Sequence, residues 1–267
     1  MRLAFLLVSV VAGWLGVQPD QPSLDEAQRL FYNGRFADSA EMCVTLRSGP
    51  DYDFENDELR TSALLFQMRR LLDNPDSRDD DKTAAWKACV RCQELLAQFT
   101  TDLHHGQAAA RAVLKQRPGD ERALFHLGKL DLNYVWLQLG MLGKKTGWDE
   151  YWEARRSLDA VLKANPKHVR ARVARAWIDY IVGTRMAWGT RWVLGGGNKK
   201  KAVTTLREAA AADTDWVSHA EAEFGLWDML QREKNAAQAT EVARRILHRF
   251  PDNPDVAAYL RSQPPKD

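Results

Sequence analysis

Residues 124–166 read LFHLGKLDLNYVWLQLGMLGKKTGWDEYWEARRSLDAVLKANP, and what this stretch does when slid along the chain decides the fold. At an offset of 48 residues, Ala154 falls on Ala202, Leu158 on Leu206 and Asp131 on Asp179, while the small Gly128 falls on Ala176, Val161 on Ala209 and Pro166 on Thr214. Agreement at so many columns marks an internal repeat. Within each copy the apolar residues recur at helical spacing. From Leu24 to Leu260 the breaks fall at turn formers: Gly49 and Pro50, Asn74 and Pro75, Pro118 and Gly119, Asn165 and Pro166, and Asp252 to Pro254. No alternating run long enough for a strand appears, so the expected fold class is all-α.

A further copy has Phe224, Gly225 and Asp228 followed by Ala239, Ala243, Ile246 and Pro251. An N-terminal one has Leu24, Ala27 and Phe31, a turn at Asn33 to Phe36, then Ala40 and Val44. These columns resemble the tetratricopeptide repeat, in which a large residue and Leu-Gly on helix A face Ala, a large residue, Ala and Pro on helix B. The resemblance implies an α-solenoid of stacked antiparallel helix pairs winding as a right-handed superhelix. The small residues have a physical reason, since Gly128 or Ala176 must let the helix carrying Ala154 or Ala202 approach closely, and the closing Pro stops helix B. Residues 54–118 match poorly, with only Ala110, Val113 and Pro118 in register. The expected organisation is a signal peptide over 1–18, a linker over 19–23, divergent helical repeats over 24–119, repeats with inserted loops over 120–262 and a tail over 263–267.

Two departures from the family carry the functional question. The central copies are 48 residues, not 34, and the extra residues lie between helix A and helix B in both, so they emerge on one edge of a solenoid. They contain or border Trp136, Trp148, Trp152, Trp188 and Trp192, together with Lys144, Lys145, Arg185, Arg191 and the Gly195-Gly196-Gly197 turn. The family's aromatic column on helix A is also replaced by Asp131, Asp179 and Asp228, each between apolar neighbours, where a carboxylate needs a partner. Trp136, Trp177 and Trp227 read as packing residues. Trp188 and Trp192 read first as folding back on the helices, with capping of a ligand pocket or contact with a membrane interface as the other options.

Composition excludes several classes. The 267 residues carry 38 Lys and Arg against 36 Asp and Glu, so no bulk field draws the chain to nucleic acid or spreads it over an anionic membrane. A 45% apolar and 28% charged makeup is that of a folded chain, not a disordered one. At the N-terminus, Arg2 precedes fifteen uncharged residues, Leu3 to Val17, and then a polar exit through Pro22. That is the layout of a Sec signal peptide and is short for a bilayer span. The protein is therefore expected to be exported, to the periplasm or beyond.

Other motifs carry less. Cys89 and Cys92 are spaced so that a local disulfide is sterically possible, or they are buried thiols; Gln93 stands where haem attachment needs His. His104 and His105 lack two further zinc ligands at a defined spacing, and no metal or cofactor is expected. Gly143-Lys144-Lys145-Thr146 lacks the first glycine, the hydroxyl and the preceding strand of a phosphate loop. Gly195 to Gly197 reads as a flexible connector, and Asp79 to Asp81 as a solvated helix entry. No catalytic constellation is readable, so the chain is not expected to be an enzyme.

The resemblance implies an interaction scaffold whose helices A line a concave groove for a protein or peptide partner. Family register puts Arg122, Phe125, Lys129, Asn133, Arg170, Trp177, Tyr180 and His219 on that groove. A small-ligand-binding protein closed by the Trp-rich insertions, and peripheral membrane contact through Trp188, Trp192 and their arginines, are the alternatives. Export with cleavage sets the first expectation: protein isolated from its own host begins between Ala12 and Pro22. Intact-mass measurement checks this, and a cytoplasmic species starting at Met1 contradicts it.

Overall fold

The computed structural model describes residues 22–47, 54–72, 82–144, 146–186 and 188–263. The expected signal peptide, the breaks at Gly49 and Asn74, the Asp79 to Asp81 run, Lys145 and the side chain of Trp188 lie outside them. Every described element is helical: α1 (Leu24–Tyr32), α2 (Phe36–Leu46), α3 (Phe54–Leu72), α4 (Lys82–Ala88), α5 (Val90–Gln116), α6 (Glu121–Val135), α7 (Trp148–Ala164), α8 (Val169–Arg185), α9 (Trp188–Val193), α10 (Lys199–Ala210), α11 (Trp216–Arg232), α12 (Ala236–Arg249) and α13 (Pro254–Ser262). A π-helical stretch, Trp136–Met141, prolongs α6.

The starts of these helices follow from their caps. Ser23, Asp120, Asn198, Asp215, Asn235 and Asn253 each accept a backbone N–H of the first turn of their helix. Successive helices pack as antiparallel pairs, α1 with α2, α3 with α5, α6 with α7, α8 with α10 and α11 with α12, and neighbouring pairs stack. The small column does the work its spacing suggests. A Cβ on Gly128 would lie 3.0 Å from Leu158 Cγ and 3.4 Å from the Ala154 carbonyl, so α6 and α7 meet almost backbone to backbone. Ala154, Leu158, Ala202 and Leu206 are essentially inaccessible. Trp136, Trp177 and Trp227 pack against the cores as partly buried residues.

Both insertions sit where the offset puts them, between helix A and helix B. In the first, the π-helical stretch gives way to a turn with Gly143 and Gly147 in left-handed conformation; in the second, α9 leads into Gly195 and Gly196, also left-handed. They lie side by side. Tyr151 Oη donates to the Leu194 carbonyl at 2.9 Å, while Arg155 donates to the same carbonyl at 2.9 Å and to that of Gly195 at 2.8 Å. The glycine run is thus clamped at its start and not the flexible connector expected from composition, because a largely buried arginine takes the carbonyls of Leu194 and Gly195.

One feature of the architecture has no counterpart in the repeat pattern: the two ends meet. Tyr32 on α1 packs its ring against Phe224, Phe250 and Trp216 at centroid distances of 5.4, 5.5 and 6.1 Å. Asn253 Nδ2 donates to the Tyr32 carbonyl at 2.8 Å, Trp216 Nε1 donates to Asp25 at 2.7 Å, and Arg70 pairs with Asp255 at 2.6 Å. The first pair therefore closes against the last, and the helix A faces turn inward on one another.

The tightest point is the second insertion. A Cβ on Gly197 would stand 2.5 Å from the Gly183 nitrogen and 2.7 Å from the Asp179 carbonyl oxygen, both backbone atoms that cannot yield. Gly197→Ala is expected to cost about 1–3 kcal/mol by forcing α8 and α10 apart. Gly119→Ala, where a Cβ meets nothing, is expected to change stability little. Urea melts of the two variants against the parent check the contrast.

Candidate functional site

Helices α3, α6, α8 and α11 each contribute one charged side chain to a buried ring in the middle of the molecule. Lys129 Nζ lies 2.6 Å from Glu221 Oε1 and 3.8 Å from Glu58 Oε1; Arg170 lies 2.5 Å from Glu221 Oε2 and 3.2 Å from Glu58 Oε2. Signs alternate around the ring. Burial alone would push Glu58 and Glu221 up, but Lys129 and Arg170 overcome it and hold both carboxyls below their ordinary range, with His126 adding to the effect at Glu58. The same carboxylates raise the Arg170 guanidinium further against its own desolvation.

Above the ring, the N-terminal ends of the helices A surround a cavity of about 490 Å³. Its wall includes four carboxylates, Asp25, Glu55, Glu121 and Asp215, against the guanidiniums of Arg122 and Arg170, with Leu24, Phe125 and Val217 as apolar surface. Phe125 forms the floor: Arg170 stacks over it at 4.8 Å and His168 lies at 4.7 Å. His168 caps α8 by accepting the Ala171 N–H on Nδ1, and burial lowers its pKa, so it stands neutral with its proton on Nε2. His126 is 3% exposed and its Nδ1 has no hydrogen-bond partner; the nearest carboxylates, Glu58 at Nδ1 and Glu55 at Nε2, are 3.7 and 3.8 Å away.

The groove positions named from family register therefore have several fates. Arg122, Phe125, Lys129 and Arg170 converge on the mouth and the ring; Arg122 reaches Glu55 at 2.8 Å. Asn133 is buried and donates to Thr61 and Ser62 of α3 at 3.0 and 2.9 Å. Trp177 and Tyr180 lie farther along α8, where Arg232 covers Trp177 and Tyr180 Oη donates to Glu233 at 2.7 Å. His219 stands apart from all of these, 3.5 Å from Glu223, whose carboxylate is held by Arg245 and Arg249 of α12. Register alone missed the acids Glu55, Glu58, Asp215 and Glu221. Their only signal was that Lys129 and Arg170, on faces otherwise buried, require opposite charges.

The aspartate column divides. Asp131 is fully buried and accepts from Gln107 Nε2 of α5 at 2.7 Å, whereas Asp179 and Asp228 pair with Arg175 and Arg232 of their own helices at 2.7 and 3.0 Å. Each carboxylate thus has the partner it needs, from a neighbouring helix at Asp131 and from an arginine one turn away on the same helix at Asp179 and Asp228. The expectation that Trp192 folds back fails. Met186 and Leu194 pack into the core with Trp152, but Trp192 is 85% exposed. At the start of α5, Cys89 and Cys92 are joined by a disulfide with a Cα separation of 5.2 Å, while Cys43 is a buried free thiol that burial pushes up to about 12. Among the described residues, no group of three or more His, Cys, Asp or Glu side chains is placed to hold a metal ion.

Opposite pH dependences follow from these carboxyls. Glu58 and Glu221 ionise at lower pH folded than unfolded, so their contribution is complete above about pH 5 and is lost as pH falls through their folded values. Asp131 is the reverse: burial, reinforced by Glu153, lifts it to about 8 against the Gln107 bond and Arg111. The fold retains a proton there that the unfolded chain releases above about pH 4, so this group lowers stability as pH rises toward 8. Asp131→Asn, which mimics the protonated form, is expected to raise Tm at pH 8 by a few °C more than at pH 5. Calorimetry at both values checks this.

Among solved structures, the chain is similar to a thermophilic TPR protein of Thermus thermophilus, with a TM-score of 0.47 and 14% identity, over 90% of this chain and 96% of that one. No family model and no curated protein matches the sequence.

Proposed function

We propose that this protein is an exported helical scaffold that holds a partner protein by receiving a positively charged segment at the acidic mouth. The carrying observation is the cavity itself: four carboxylates on its wall, apolar surface from Leu24 and Val217, and one of its two guanidiniums, Arg170, already committed to the buried ring. A lysine or arginine side chain, or a chain's amino terminus, finds there both a counter-charge and an apolar surface for its methylenes. Helical solenoids suit this use because stacked helix pairs present a continuous rigid surface. Arg122 on the rim, salt-linked to Glu55, attracts an anionic guest less than the four carboxylates attract a cationic one. Export is supported by the layout of residues 2–22 and by the disulfide between Cys89 and Cys92, a bond that persists in oxidising compartments.

The cavity volume also falls in the range of small-ligand pockets, about 300–1,000 Å³, so a cationic metabolite is the second reading. Fluorescence anisotropy with labelled lysine-rich and glutamate-rich peptides tests the first. The lysine-rich peptide is expected to bind more tightly, to weaken with salt, and to lose about five-fold or more in affinity with Glu121→Lys, since reversing a rim charge costs about 1 kcal/mol or more. Equal binding of both peptides removes the proposal. Native mass spectrometry of protein from its own host separates the readings, because a retained small cation favours the pocket.

A further inference from the structure

The edge formed by the two insertions carries a surface that the mouth does not explain. Between Tyr180 and Arg207 the sequence has six basic residues, Arg185, Arg191, Lys199, Lys200, Lys201 and Arg207, and no acidic one. From the same stretch Trp192 projects with 85% of its surface exposed and Val193 with 62%. This is a built projection. Leu194 and Met186 anchor it inward, Tyr151 and Arg155 clamp the Leu194 and Gly195 carbonyls, and Arg191 Nε donates to the Met186 carbonyl at 2.8 Å. Trp148, 40% exposed, stands beside it through its edge-on contact with Tyr151.

The placement of the lysines is against helix electrostatics. Lys199, Lys200 and Lys201 fill the first turn of α10, where the macrodipole disfavours cations, and α1, α6 and α7 place acids in that turn. Lys199 pairs with Glu233 at 2.6 Å, while Lys200 and Lys201 point into solvent. A cleft of about 420 Å³ opens next to them, with Lys199, Lys200 and Arg207 on its wall against the single acid Glu233.

We propose that this edge seats the protein on an anionic lipid surface, with Trp192 and Val193 entering the interface and the lysines and arginines meeting lipid phosphates. An apolar tip of a tryptophan and a valine, in a stretch whose only charges between Tyr180 and Arg207 are basic, supplies an apolar and an electrostatic signal for peripheral binding, and tryptophan favours the interfacial layer. No helix among the described residues is long and apolar enough to cross a membrane. The seventeen residues of α8 separate Arg185 from His168 by about 25 Å, which leaves the acidic mouth facing away from the lipid. The inference is independent of what the mouth holds.

The test is flotation of the protein, recovered from its own host, with vesicles of phosphatidylcholine alone or with 30% phosphatidylglycerol as the probe. The parent is expected to float with the anionic vesicles, to do so about ten-fold less with neutral ones, and to be released by 0.5 M salt. Trp192→Ala with Val193→Ser is expected to keep the helical signal and Tm and to lose about ten-fold in anionic-vesicle binding. Lys200→Glu with Lys201→Glu is expected to lose binding while Tm holds or rises, because acids suit the first turn of α10; a purely structural role for the lysines predicts the opposite. Glu121→Lys is expected to leave flotation unchanged. Equal flotation with both vesicle types, no flotation of the parent, or unchanged binding by either double variant overturns the proposal. So does an edge whose mutation abolishes binding of a protein partner while vesicles are ignored.

Discussion

Four charges buried at the centre, Glu58, Lys129, Arg170 and Glu221, set the arrangement on which the rest depends. Removing such groups from water is costly, and a ring of alternating sign at contact distance offsets that cost without adding much net stability. Its value lies in selection. Any other angle or register among α3, α6, α8 and α11 would leave a charge buried without its counter-ion, at about 3–5 kcal/mol. Apolar ridges tolerate a range of packing angles, but four charged side chains meeting at one point do not.

That constraint explains why the chain closes. With the helices A drawn to a common centre, the superhelix has no open interior, and its first and last pairs are brought within reach. Tyr32 then finds Phe224, Phe250 and Trp216, and Asn253 caps α13 with its oxygen while its amide donates to the end of α1. Since every helix A points the same way, their N-termini gather at one mouth and the insertions gather at the far edge. The separation of the mouth from the insertion edge is therefore a consequence of how the helices A run.

Much of this was legible in the chain, and the limit of legibility is physical. The offset of 48, the small residues at 128 and 154, and the turn formers at 118 and 166 report local geometry, and the helix pairs α6/α7 and α8/α10 follow from them. Of the groove positions, Lys129 and Arg170 meet buried carboxylates that the repeat pattern does not announce. Arg170 meets Glu58 across 112 residues of sequence and Glu221 across 51, and periodicity says nothing about which distant faces coincide. The poor match of residues 54–118 has a similar cause. Helix α3 buries Asn56, Asp57, Glu58, Arg60, Thr61 and Ser62, and Asp102 of α5 is held there by Arg47 and Arg60. Only the second half of α3, Ala63 to Met68, packs apolar against Leu95, Phe99 and Leu103 of α5, so the apolar stripe is interrupted by the polar first half, and helicity was readable there while repeat register was not. Trp192 shows the converse: folding back on the helices is the first reading of its glycine-bounded loop, and it is Leu194, two residues on, that takes the packing position.

A net charge of only +2 hid the polarity of the molecule, because the two signs are separated along the helices A and cancel only in the sum. Part of the separation has a structural cause. Asp25, Glu55 and Glu121 occupy first turns and Asp215 an N-cap, where backbone N–H groups and the macrodipole favour acids, so gathering parallel helix starts makes an acidic mouth without any ligand to require it. The basic edge has no such cause. Its lysines sit at a helix start, where the same electrostatics opposes them, and its tryptophan stays in water although Leu194, two residues on, is buried in a core. Features that follow from folding rules need no function to account for them. Those that run against the rules, at a cost the fold does not recover, are where a binding requirement outside the chain has left its mark, and by that criterion the insertion edge is the stronger functional signal of the two.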